Sequence, residues 1–146
     1  MSNYIIANAK QTLAIEIDAI NGLSNFIDAS FEEAVNAIHA TKGRLIVSGI
    51  GKSAIIAQKM VATCNSTGTP ALFLHAAEAI HGDSGMITPN DIVLIISKSG
   101  ESPEIKNLVQ LVKQFGNTII GMVGNIDSYL AKESKWILNT TVSREA

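Results

Sequence analysis

Two short segments of this chain combine glycine, serine and lysine as an anion-binding loop requires. The first, Ser48-Gly49-Ile50-Gly51-Lys52-Ser53, follows an apolar run and opens a helical stretch. Glycine lets the backbone turn tightly and approach a ligand closely. A helix N-terminus behind it offers unpaired N–H groups and positive potential to an anion. A Walker A loop would need a glycine five residues before Gly51, where Ile46 stands, so that reading is excluded. The dinucleotide pattern G-x-G-x-x-G/A is formally met by Gly49, Gly51 and Ala54, with Glu78 as a ribose acid. The plainer alternative is a glycine turn with Lys52 in solvent.

The second segment, Ser97-Lys98-Ser99-Gly100-Glu101-Ser102-Pro103-Glu104, follows the most apolar run of the chain. Ser102 suits a helix N-cap and Pro103 the first helical position. The hydroxyls of Ser97, Ser99 and Ser102, with Gly100 and the open helix N–H groups, make a phosphate cradle without arginine. A dinucleotide site has no need of this second cradle, whereas a phosphosugar pocket can use it. The alternative is a capping sequence in which Ser97 and Ser99 satisfy backbone groups. Glu104 either complements the helix dipole or points at the sugar end as a proton-transferring group.

Two histidines stand near these loops in the sequence. His75 ends an apolar run, and His81 lies in the polar turn His81-Gly82-Asp83-Ser84-Gly85. Histidine exchanges protons near neutral pH, which gives both a catalytic reading, strongest for His81. Shared metal binding by His75 and His81 lacks a recognisable spacing. His39 reads as an ordinary residue of an amphipathic helix.

The elements that must position these residues follow from periodicity. Apolar residues at helical spacing predict one helix from Asn3 to about Gly22 and a second after Ser30, ended by Gly43. Short continuous apolar runs at 45–47, 71–74, 92–96 and 118–120, with a weaker one at 136–138, predict strands buried on both faces. Helical stretches from Ser53 to Ser66, Ser102 to Phe115, and briefly from Ser128 separate them. Such alternation implies right-handed crossovers and a doubly wound α/β sheet, with ligands beyond the strands' carboxyl ends.

Composition narrows the function classes. At 146 residues and 47% hydrophobic, the chain can bury a core and leave surface for subunit contacts. A net charge of −2 without a basic run argues against nucleic acid. The lone Cys64 cannot form an internal disulfide, which fits a reducing, cytoplasmic setting. The N-terminus has no signal-peptide pattern, and no apolar stretch approaches the roughly 20 residues that cross a bilayer.

As an ordered set, these segments resemble the SIS (sugar isomerase) domain family, and within it the arabinose 5-phosphate isomerases. The matching text is Ser48 to Ser53, Ser66-Thr67-Gly68-Thr69-Pro70, Glu78 to Met86 with Thr88-Pro89, Ser97 to Glu104, and Glu145-Ala146. The resemblance implies a three-layer α/β/α domain with a five-stranded parallel sheet in flavodoxin-like order, usually in a homotetramer. It implies interconversion of D-arabinose 5-phosphate and D-ribulose 5-phosphate, supplying the precursor of Kdo for lipopolysaccharide. It places catalytic roles on Lys52, His81, Glu104 and Glu145. Substrate contacts are implied at Ser48, Gly49, Ser53, Gly68, Thr69, His75, Ser97, Ser99, Gly100 and Ser102. No cofactor is required by this reading, and zinc at His75 would be inhibitory or incidental.

Isomerisation through an enediol moves a proton between adjacent carbons. It asks for a base at C2, an acid at the carbonyl oxygen and a donor or cation for the enediolate. Glu104 or His81 can be the base, and Lys52 the stabiliser. The expected organisation is one SIS domain over 1–146, with helices in 1–42 and the sheet in 43–146. The family's late histidine in a Ser-His-Pro-Gly-Gly motif, its C-terminal helical end and its CBS pair do not occur in this sequence. A non-catalytic sugar-phosphate regulator and an isomerase of another phosphosugar are the competing readings.

Overall fold

The apolar runs become strands because each is long enough to pair and too apolar to face water on either side. The computed structural model describes residues 2–144. In chain order it contains α1 (Ser2–Leu23), α2 (Ala29–Ala40), β1 (Leu45–Gly49), α3 (Lys52–Ser66), β2 (Ala71–His75), α4 (Ala76–Ala79), β3 (Ile92–Ser97), α5 (Pro103–Gln114), β4 (Thr118–Val123), α6 (Tyr129–Glu133) and β5 (Trp136–Asn139). Single 3-10 turns occupy Ser24–Phe26 and Asp83–Met86. The five strands are all parallel, in the order β2-β1-β3-β4-β5. This is the expected three-layer α/β fold. Every residue of β1 and β3 is buried, while β5 at the edge is only partly so, which explains its weaker signal.

Alternate strand residues feed two separate cores. On one face Ile46, Val93, Ile95 and Ile119 pack with Ile105, Leu108, Val109 and Val112 of α5 and Leu130 of α6. On the other, Leu45, Val47, Ile92, Leu94 and Ile96 pack with Ala34 of α2 and Ala57 of α3. The first helix after β1 thus lies on one face and the helix after β3 on the other.

The strands' amino ends are tied by a polar clamp. The buried Asp91 carboxylate accepts from the Arg44 and Thr88 backbone N–H groups at 2.7 and 2.8 Å. It also pairs with the Arg44 guanidinium at 2.8 Å. The same guanidinium donates to the Met86 carbonyl, and the Asn117 amide donates to the Thr88 and Asp91 carbonyls. At the β5 edge, the Trp136 indole N–H donates to Glu33 of α2 at 2.8 Å, with the Lys135 ammonium 4.3 Å from the ring centre.

Two helix boundaries differ from expectation. The second helix begins at Ala29, capped by the Asp28 carboxylate on the Phe31 N–H, so Ser30 lies inside it. It ends at Ala40, with Thr41 as cap, and Gly43 is not its terminator. Gly43 is required for a different reason: a Cβ there would lie 2.3 Å from the Asn90 carbonyl oxygen and 2.6 Å from the Asp91 nitrogen. The Asn90–Asp91 peptide is backbone and cannot yield cheaply, so Gly43→Ala is expected to cost about 3 kcal/mol of stability, read by urea denaturation.

Candidate functional site

The parallel register sets Gly49 at the end of β1 beside His75 of β2 on one side and Ile96 of β3 on the other. With α3 and α5 on opposite faces, the chain opens a crevice between the ends of β1 and β3, the switch point of the fold. A cavity of about 480 Å³ lies there, lined by Ile50, Ser53, Ser97, Lys98, Ser99, Ser102, Gly124 and Asn125. It joins the two loops singled out in the sequence and adds the turn after β4.

The serines do two jobs at once. The Ser97 hydroxyl accepts the Gly100 N–H at 3.0 Å, and the Ser99 hydroxyl accepts the Glu101 N–H at 3.3 Å. Both therefore shape the loop with a lone pair while keeping the O–H proton for another acceptor. Ser102 is different. It holds the N-cap position of α5, followed by Pro103, but its hydroxyl makes no capping bond. The Ser102 Oγ is instead buried without a hydrogen-bond partner, on a residue that lines the cavity. An unpaired buried hydroxyl costs about 1–3 kcal/mol. Placed here, it suits an anion's oxygen.

The second loop is braced from outside the cavity. Glu101 accepts the Tyr129 backbone N–H at 2.6 Å and pairs with the Lys106 ammonium at 2.6 Å. The Lys106 pairing, and then the Tyr129 N–H, hold its carboxyl below the usual range. The Gly100 carbonyl accepts the Leu130 N–H at 3.1 Å. Gly100 has φ +65°, and a Cβ there would meet the Ser128 Oγ at 2.2 Å. Only glycine lets the loop close onto the start of α6.

The proposed chemical groups surround the same strand ends. Lys52 is the first residue of α3, exposed, after Gly51 with φ 57°. Glu104 is the second residue of α5 and half-buried. The His75 Nδ1 accepts the Ala77 N–H at 3.3 Å, which leaves the proton of the neutral ring on Nε2. His81 lies on the exposed turn after α4. No hydrogen bond or ion pair joins these four side chains to one another. Among the described residues, no group of three or more His, Cys, Asp or Glu could hold a metal ion.

The sequence pattern of the SIS domain matches residues 38–146, three-quarters of the chain. The chain belongs to the SIS domain family. It is 46% identical over 143 residues to arabinose 5-phosphate isomerase KpsF of Escherichia coli, covering 97% of this chain and 44% of that protein. Against arabinose 5-phosphate isomerase KdsD of Pseudomonas aeruginosa the identity is 45% over 141 residues, covering 97% and 43%. The solved structure of E. coli CFT073 c3406 in complex with arabinose 5-phosphate superposes with a TM-score of 0.89 at 34% identity, covering 99% of this chain and 77% of that one. The chain spans less than half the length of the two curated relatives.

The other expected site residues of this SIS domain lie elsewhere in the fold. Gly68 and Thr69 lie at the amino end of β2, beside His39, Thr41 and Gly43. That is the end of the sheet opposite the cavity, because α3 returns the chain there before β2 begins. The Ser48 hydroxyl is fully buried and donates to the Leu74 carbonyl at 2.5 Å, so it bonds β1 to β2 and does not face the cavity. Gly49 serves close packing: a Cβ would lie 2.9 Å from the Ser53 backbone. Gly100 faces α6. Glu145 lies outside the described residues. Sequence reasoning missed Lys98, Gly124 and Asn125 as cavity walls. Lys98 stood in the quoted loop, but the turn after β4 carried no motif to single it out.

No helix among the described residues is long and apolar enough to cross a membrane.

Proposed function

We propose that this SIS domain binds the phosphate of a pentose 5-phosphate in the β1/β3 cavity and catalyses isomerisation of D-arabinose 5-phosphate to D-ribulose 5-phosphate. The observation that carries the reading is the unpartnered Ser102 hydroxyl in a wall that also holds Ser53, Ser97, Ser99 and Lys98. The kinship with proteins named for this reaction, and with one solved with arabinose 5-phosphate, supports the choice of sugar.

With phosphate on the serine loops, the sugar carbons extend toward the neighbouring strand ends, where Lys52, His75 and Glu104 stand. A base removes the C2 proton while an acid protonates O1, giving the enediol. Loss of the O2 proton and protonation of C1 then give the ketose. Electrons and protons balance within the substrate, so no redox cofactor is required. We assign the electrostatic role to Lys52 and proton transfer to Glu104 and His81. Zinc at His75 would be inhibitory or incidental. The same reading includes a cytoplasmic homo-oligomer whose product feeds Kdo synthesis.

The test is Ser102→Ala, measured for sugar-phosphate affinity and for folding. Losing one hydroxyl–phosphate bond should weaken binding about 10- to 100-fold. Removing an unpaired buried hydroxyl should leave stability unchanged or raise it by about 1 kcal/mol. Unchanged affinity would refute the phosphate site. Turnover should be assayed with chelator on this chain and on a version extended by a relative's C-terminal segment. Tight binding without turnover in both would favour a sugar-phosphate sensor.

A further inference from the structure

The serine loop between β3 and α5 borders the cavity on one side and α6 on the other. Bonds to the chain beyond β4 hold it down. The Lys98 carbonyl accepts the Gly124 N–H at 3.0 Å, the Gly100 carbonyl accepts the Leu130 N–H, and the Glu101 carboxylate accepts the Tyr129 N–H. The first two are backbone bonds, whereas the third is made by a side chain. With the Ser128 hydroxyl on the Ala131 N–H at 3.3 Å, the first N–H groups of α6 all have acceptors, two of them supplied by the loop. Glu101 also precedes the N-cap Ser102 and pairs with Lys106, in the first turn of α5. A contact between residues so placed fixes the angle at which the chain enters a helix. The Lys106 ammonium lies 5.7 Å from the Tyr129 ring centre, so the same ion pair joins α5 to α6. Glu101 itself is not among the residues lining the cavity, and its side chain is 45% exposed.

We infer that Glu101 is a positioning residue for phosphate binding: by accepting the Tyr129 N–H it holds Ser99 and Ser102 in the arrangement that receives the anion. This role rests on the sugar-phosphate reading of the cavity and adds to it a residue that does not touch the ligand. A carboxylate next to Ser102 would repel a phosphate if it turned inward. Turned onto α6, its charge is opposed by Lys106 and by the positive end of the helix. Gly100 beside it, at φ +65°, gives the free loop other conformations to visit, so an acceptor fixed to α6 has something to restrain. A loop that holds its binding arrangement for only a fraction of the time lowers apparent affinity by that fraction. Global stability has less at stake, because an exposed ion pair contributes little to it. The consequence of losing Glu101 therefore falls on the ligand more than on the fold.

The test compares the parent with Glu101→Ala, Glu101→Gln and Ser102→Ala, by calorimetric titration with arabinose 5-phosphate and with inorganic phosphate, alongside urea denaturation. Glu101→Ala should weaken both ligands by the same factor, about 10-fold, with the urea midpoint unchanged. Glutamine keeps an oxygen that can accept the Tyr129 N–H, so Glu101→Gln should recover affinity to within about threefold of the parent. Parent-like affinity in Glu101→Ala, with weak binding by Ser102→Ala, would overturn this role and leave the cavity reading intact. A Glu101→Gln protein as weak as Glu101→Ala, a loss confined to the sugar phosphate, or a loss matched by a lowered urea midpoint would each overturn it as well. A parent that binds neither ligand would overturn the cavity reading and this role together.

Discussion

Glu104→Gln is expected to lower turnover of arabinose 5-phosphate by a factor of about 10²–10⁴, the usual contribution of a positioned proton-transfer group. Glutamine keeps the size and hydrogen-bonding reach of the side chain but cannot take a proton. Binding should therefore change little: Glu104 lies outside the lining of the phosphate cavity, which Ser53, Ser97, Ser99 and Ser102 form. The loss should fall on kcat, with KM within about threefold. Lost affinity with preserved kcat would reassign Glu104 to substrate binding. No change in either would leave it as a complement to the α5 dipole, for which its second position suits it. Solvent exchange of deuterium from C2-labelled substrate is the sharper measurement, because it reports proton abstraction directly.

Asp91→Asn should destabilise the fold by about 3 kcal/mol, the lower end of the cost of breaking a buried pair. The lower end applies because the Arg44 side chain is 33% exposed and water can take over its charge, whereas the Asp91 side chain is fully buried. The amide would also set a donor against groups that donate to the carboxylate from Arg44 and Thr88. For a chain of this size that cost corresponds to a fall in Tm of about 10 °C. The parent's pH dependence should carry the same signature. Burial pushes the Asp91 carboxyl up, but the Arg44 guanidinium and the Thr88 and Arg44 N–H groups outweigh it and hold it at about 2, below its ordinary 3.8. The folded pKa is depressed, so this contribution is fully present above about pH 4 and is lost as pH falls toward 2. It amounts to about 2 kcal/mol. Urea midpoints between pH 5 and pH 2.5 should show that loss in the parent and not in Asp91→Asn. Parallel losses in both proteins would assign the acid sensitivity elsewhere.

Much of the fold was legible because a parallel sheet leaves long apolar runs, and β1, β3 and β4 advertise themselves that way. The serine loops were legible for the same reason, since each begins where such a run stops. The short α4 escaped notice: Ala76-Ala77-Glu78-Ala79 is too brief to show a period, and it follows β2 without an intervening turn. Positions that depend on the third dimension could not be read from the sequence. Gly68 and Thr69 lie in a glycine-containing loop like the others, yet a crossover helix carries that loop to the amino end of the sheet. Ser102 had the residue type and place of a cap, but its hydroxyl makes no capping bond, which residue type alone does not reveal. Asn125 could be found only by following β4 to its end.

The clasp at the sheet's edge gives the molecule an optical asymmetry. Its single tryptophan, Trp136, reports on whether β5 is docked to α2, through the bond to Glu33 and the lysine above its ring. That indole stands at the amino end of β5, whereas the cavity lies beyond the carboxyl ends of the strands. Fluorescence should therefore follow undocking of the last strand while staying almost silent when the serine loops fill, so the same signal can time the edge and ignore the ligand.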